Sequence, residues 1–127
     1  MIWFTILLLI FAGSSSSYAQ QERMDIEQLI VDRAIIHGAN PQLLLRVARC
    51  ESGFNPNLIG ASGERGVAQW HPRGAWFSTP AYREQGINII QVYVERHEHA
   101  VYYDIDMFAW AFGREAPLRL RHQWSCF

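Results

Sequence analysis

The stretch from Asn40 to Trp70 limits what this chain can become more than any other. Asn40 has the side chain of a helix N-cap, and Pro41 suits the first helical position, where a missing N–H removes no bond. Gly53 is a natural stop. Between them Leu44, Val47 and Ala48 recur at i, i+3 and i+4, and Glu51 falls at i+7. The only carboxylate of the predicted helix therefore lies on its apolar stripe. A carboxyl held against apolar groups loses hydration of its charged form, so its pKa rises and a proton stays available near neutral pH for general acid work. The other reading leaves Glu51 at a frayed helix end, in water. Beyond Gly53 the character changes: Asn55-Pro56-Asn57 and Gly60-Ala61-Ser62-Gly63 are turn chemistry and predict a loop.

The segments before and after this unit set its context. Ile2 to Ala12 is an apolar run with one Thr, too short to span a bilayer, which needs about 20 residues. Ser17-x-Ala19 is a small-x-small cleavage pattern, so residues 1–19 read as a signal peptide and 20–127 as one domain. Lys and Arg are missing ahead of the apolar run, and an uncleaved anchor is the other reading. Export would place the chain outside the cytosol, secreted, periplasmic or associated with the cell wall. There an even cysteine count predicts one bridge, Cys50 to Cys126. Closing so long a loop stabilises by about 4 kcal/mol in the chain-entropy model. Two unpaired buried thiols are the alternative, favoured for a cytosolic chain. The net charge of −1 gives no electrostatic basis for nucleic-acid binding. All the basic residues are Arg, and no physical reason for that bias is evident.

Periodicity predicts further helices. Asp25 to His37 carries Ile26, Leu29, Ile30 and Ala34 on one stripe, with Asp25 and Gln28 as an approximate capping box and Gly38 as the stop. Thr79-Pro80 opens a short helix ending at Gly86. Asn88 to Val101 fits strand and buried helix equally. From Tyr103 to Gly113, Ile105, Phe108, Ala109 and Phe112 form a stripe that Met107, Trp110 and Ala111 widen nearly all round, as in a central buried helix. Asp104 reads first as its cap and second as a catalytic helper. His71, His97 and His99 have no spacing that closes a metal site, and neither metal nor cofactor is expected.

Glu51-Ser52-Gly53-Phe54-Asn55-Pro56 followed by Gly66-Val67-Ala68-Gln69 resembles the soluble-type lytic transglycosylases and the related goose-type lysozymes. The chain is most similar to small secreted members, through Cys50 to Asn57, Gly66 to Trp76, Ile105 to Gly113 and Trp124-Ser125-Cys126. Ala109-Trp110-Ala111-Phe112-Gly113 keeps only the outer Ala and Gly of the family's A-Y-N-A-G, and Ala111 replaces its Asn. The resemblance implies a mainly α fold, α+β at most, of the lysozyme type: helices around a groove with a loop or small hairpin as its wall. It implies a monomeric enzyme acting on the glycan strands of peptidoglycan, without stable membrane insertion. Glu51 would be the catalytic acid. Ser52, Gln69, Trp70, Tyr103 and Trp110 would line the substrate groove, with Tyr102 and Trp76 as further aromatic contacts. Gln69 as a backbone-bonded polar residue, and the Trp side chains as core, are the alternatives. Lytic transglycosis uses one acid, which then acts as base on the sugar's own C6 hydroxyl and gives a 1,6-anhydro product. A lysozyme-type hydrolase would need Asp104, Asp106 or Glu64 to position water, and a non-catalytic wall-binding relative is a third class.

Overall fold

The computed structural model describes residues 14–74 and 80–127, with side chains from Tyr18 onward. Most of residues 1–19, together with Trp76 and Thr79, lies outside the described residues. The protein is mainly helical. Its helices are α1 (Ser14–His37), α2 (Pro41–Ser52), α3 (Pro80–Glu84), α4 (Ile89–Val94) and α5 (Ala100–Ala111). Short 3-10 turns span Pro72–Gly74 and Leu118–Gln123. Among the described residues β pairing is limited to two isolated antiparallel bridges, Ile59 with Arg65 and Arg65 with Trp70.

The α2 boundaries follow from local chemistry. The Asn40 side chain accepts from the backbone N–H of Gln42 and Leu43 at 3.0 and 3.3 Å, and Pro41 opens the helix. Gly53, in the left-handed region, ends it and donates its N–H to Arg49 O. Leu44, Val47 and Ala48 are fully buried. In α1 the stripe Ile26, Ile30 and Ala34 faces the core. The proposed capping box at Asp25 is not there. The helix runs straight through that position, and Asp25 accepts from the side chain of Gln21 one turn earlier. Ala19, Gln20, Gln21, Glu22, Arg23 and Met24 are good helix formers, and mid-helix amides are already bonded, so Asp25 has nothing to cap. All side chains from Tyr18 to Asp25 are exposed, and the core contacts of α1 begin at Ile26.

The ambiguous segment after Gly86 is helical. Asn88 caps α4 by accepting from Gln91 N, and Ile89 and Val92, three apart, face the core. Helix α5 starts three residues before the predicted position, with His99 at the cap. Asp104 is therefore not a cap. It lies in the helix interior, wholly buried, because its partners come from the loop and from α4 rather than from its own backbone.

Helix α5 sorts its residues by face. On one face Asp106 accepts from Arg33 Nε and sits 2.7 Å from His37 Nε2, both on α1, and takes the Tyr82 hydroxyl of α3 at 2.5 Å. On another, Asp104 gathers the loop after α2, while Phe108 and Phe112 pack against Trp124 near the C-terminus. The Trp124 indole donates to Ala68 O at 2.9 Å and its ring meets Trp70 edge to face. The expected bridge is formed: Cys50 and Cys126 are joined with Cα atoms 6.0 Å apart.

Candidate active site

Three features converge at the C-terminal end of α2: its last turn, the loop after it, and the tail brought in by the bridge. Glu51 sits in that last turn and is half-buried. It shares a cavity of about 420 Å³ with Glu64, Gln69, His71, Gln123, Ser125 and the disulfide. Its Oε1 accepts from Ser125 Oγ at 3.3 Å, and the Cys126 backbone also bonds the carboxylate. Burial raises the Glu51 pKa above the ordinary carboxylate value. The Ser125 and Cys126 bonds work against that, and the neighbouring charge of Glu64 adds to it. The helix C-terminus is the negative end of the backbone dipole and acts in the same direction as burial.

The loop between Gly53 and Trp70 is held from beneath by Asp104. Asp104 Oδ2 accepts from Val67 N at 2.7 Å and from the Tyr93 hydroxyl, and Oδ1 accepts from the Trp70 indole at 2.7 Å. Burial pushes the Asp104 pKa up to about 6, with Tyr93, Trp70, Val67 and Ala68 donors opposing the rise. Burial and the same carboxylate drive the Tyr93 hydroxyl strongly upward. Gly66 makes the approach possible. Its φ of 88° lies in the left-handed region, and a Cβ there would collide with the Asp104 carboxylate and the Tyr93 ring. Gly60 has a matching role on the cavity side: a Cβ would overlap the Glu64 carboxylate and reach within 2.8 Å of Gln69 Oε1.

The sequence-predicted residues separate into two groups. Glu51 and Gln69 line the cavity. Gln69 spends its Nε2 on Leu58 O and Gly66 O at 3.0 and 2.9 Å, so it also serves the backbone-bonded role, leaving Oε1 for another partner. Ser52 lies beside Glu51 but donates to Val67 O at 2.6 Å, tying the helix end to the loop. Trp70 is 1% exposed and belongs to the core, with its only polar atom held by Asp104, so no ring face is open to a sugar. Tyr103 and Trp110, one heptad apart, lie on a different face of α5 from the loop-holding Asp104. Both are half-buried, and Tyr103 packs against Tyr82, His97 and His99 rather than at the Glu51 cavity. Exposed Tyr102 lies under the Arg33 guanidinium. Asp104 and Asp106 are both committed to buried networks, so Glu64 is the second carboxylate at this cavity. His71, Gln123 and Ser125 were not foreseen here. The pairing of Cys50 with Cys126 was the one signal that could have placed Ser125 beside Glu51.

Compared with known proteins, the chain matches no family, no curated protein and no solved structure.

Proposed function

We propose that this protein cleaves the glycan strands of peptidoglycan, with Glu51 as the proton donor in a lysozyme-like frame outside the cytosol. The observation that carries the reading is a carboxyl with a raised pKa in a solvent-reaching cavity. It stands at the start of a motif that resembles that of the lytic transglycosylases. In this reading a strand lies over the cavity between the loop and the C-terminal tail. Glu51 protonates the bridging oxygen of the β-1,4 bond between N-acetylmuramic acid and N-acetylglucosamine as positive charge develops on the departing sugar carbon. As lytic transglycosylase, the ionised Glu51 then takes the proton of the C6 hydroxyl, which closes the 1,6-anhydro ring. Gln69 Oε1 is available to an N–H or hydroxyl of the substrate.

One observation favours hydrolysis as a second reading. The Glu64 carboxylate lines the same cavity and makes no hydrogen bond or ion pair among the described residues. Two carboxyls on one cavity, one of them with its pKa raised by burial, are what an acid and a water-activating base require. The experiment that decides is digestion of purified peptidoglycan by the oxidised protein, followed by mass analysis of the released fragments. Anhydro-muramic ends support transglycosis, and reducing muramic ends support hydrolysis with Glu64. Glu51→Gln should lower either yield by about 10²–10⁴-fold. Undiminished cleavage by that variant sinks the proposal.

A further inference from the structure

The loop that walls the Glu51 cavity has a second side. Leu58, Ile59 and Arg65 line a separate cavity of about 590 Å³, closed by Tyr93, Arg96 and His97 at the end of α4 and by the start of α5. Neighbouring residues of the loop serve opposite sides: Glu64 faces the acidic cavity and Arg65 this one. That follows from the extended backbone at Arg65, which is bridged to both Ile59 and Trp70 and so alternates its side chains.

Two arginines line this cavity, and among the described residues neither Asp nor Glu does. Among the described residues neither Arg65 nor Arg96 makes an ion pair or a side-chain hydrogen bond, and the side-chain amide of Asn57 is also without a partner. Arg96 holds its place against backbone preference. Its φ is 55°, where α4 ends through bonds from Arg96 N to Tyr93 O and His97 N to Val92 O. Glycine is the low-energy residue for such a helix end. Arg96 lines the cavity from that position at a cost in strain. Apolar walls from Pro56, Leu58 and Val101 complete the lining.

We infer that the Arg65–Arg96 cavity binds the free carboxylate of a short peptide. Two arginines lining one cavity can meet the oxygens of a carboxylate, the Asn57 amide offers a donor and an acceptor to a peptide group, and the apolar walls suit small side chains. The volume lies within the usual range for small-ligand sites. The inference stands on this lining alone and does not need Glu51 to be catalytic.

The test follows amide and arginine Nε–H shifts by NMR during titration with N-acetyl-trialanine, with its C-terminal amide, and with inorganic phosphate. Saturable shifts at Leu58, Ile59, Arg65 and Arg96 are expected with the free acid, at least about tenfold weaker with the amide, and weakened by added salt. Arg96→Gly should lower affinity about tenfold while its melting temperature stays level or rises, because it removes a strained residue. Arg65→Gln should act similarly, and Glu51→Gln should bind as the parent does. Equal binding of acid and amide, or full binding by Arg96→Gly, overturns the site. Saturation by phosphate without a response to the peptide overturns its assignment to carboxylates.

Discussion

Glu51 owes its chemistry to two opposing sets of neighbours. Withdrawal from water is the largest influence and raises its pKa, while Ser125 and Cys126 stabilise the ionised form and moderate the rise. Glu64 adds a smaller upward push through space. In the proposed reaction Glu51 works only while protonated, so activity should fall as pH climbs through its pKa. Glu64→Gln removes a negative neighbour, lowers that pKa, and should move the alkaline limb of the pH–rate profile to lower pH. The movement should be modest, because burial remains. A profile that shifts upward would contradict the arrangement, and reducing ends that vanish in this variant would assign Glu64 as the base. The Glu51 position was readable from the sequence because helix periodicity is local: Leu44, Val47 and Ala48 determine which side position 51 faces. Its partner Ser125 was not, since the two are 74 residues apart in the chain.

At the scale of elements, α5 is the member around which the others are tied, and two buried carboxylates make the ties. Asp106 joins α5 to α1 and α3, and Asp104 joins it to α4 and the loop. Sequence periodicity marked α5 as buried nearly all round, and it is. The same periodicity could not say what two Asp residues were doing there, because Arg33, His37, Trp70 and Tyr93 reach them only after folding. For that reason Trp70 takes the core alternative and not the sugar-platform one: its indole N–H needed a buried acceptor, and Asp104 supplied one. The pH dependence of stability should reveal Asp104. Its folded pKa of about 6 is above the ordinary 3.8, so folding favours its protonated form. Its stabilising share is complete below about pH 4, declines as pH rises toward 6, and is flat above, with a span on the order of 3 kcal/mol. Asp106 has the opposite sign: its lowered pKa contributes stability that is lost only in strong acid. Asp104→Asn should weaken the fold by about 1–3 kcal/mol, since an amide cannot accept all the donors it would face. Urea titrations from pH 4 to 7 should show the parent approaching the variant as pH rises; parallel curves would contradict the assignment.

For the molecule as a whole, the disulfide and Trp124 divide the task of holding the chain's end over Glu51. The bridge closes a loop of 76 residues, which in the chain-entropy model stabilises by about 4 kcal/mol. Trp124 is 4% exposed, bonds Ala68 O and packs on Trp70, Phe108 and Phe112, so it anchors the tail two residues before the bridge without any covalent help. Reduction should therefore lower the melting temperature by roughly 15 °C or more, yet leave the protein folded at room temperature with Trp124 still buried. The effect on Glu51 has two parts of opposite sign. Freeing Ser125 and Cys126 removes bonds to the carboxylate and raises its pKa. It also removes part of the cavity wall and readmits water, which lowers the pKa. Burial is the larger of the two influences, so the reduced protein should lose activity at a lower pH than the oxidised one. Trp124→Ala should show the same downward shift with the bridge intact, and in addition lose about 3–5 kcal/mol of stability by emptying the core. Calorimetry of oxidised, reduced and Trp124→Ala protein, beside their pH–rate profiles, checks both halves. An alkaline limb that moves upward on reduction would mean that the tail acts on Glu51 through its hydrogen bonds rather than by excluding water.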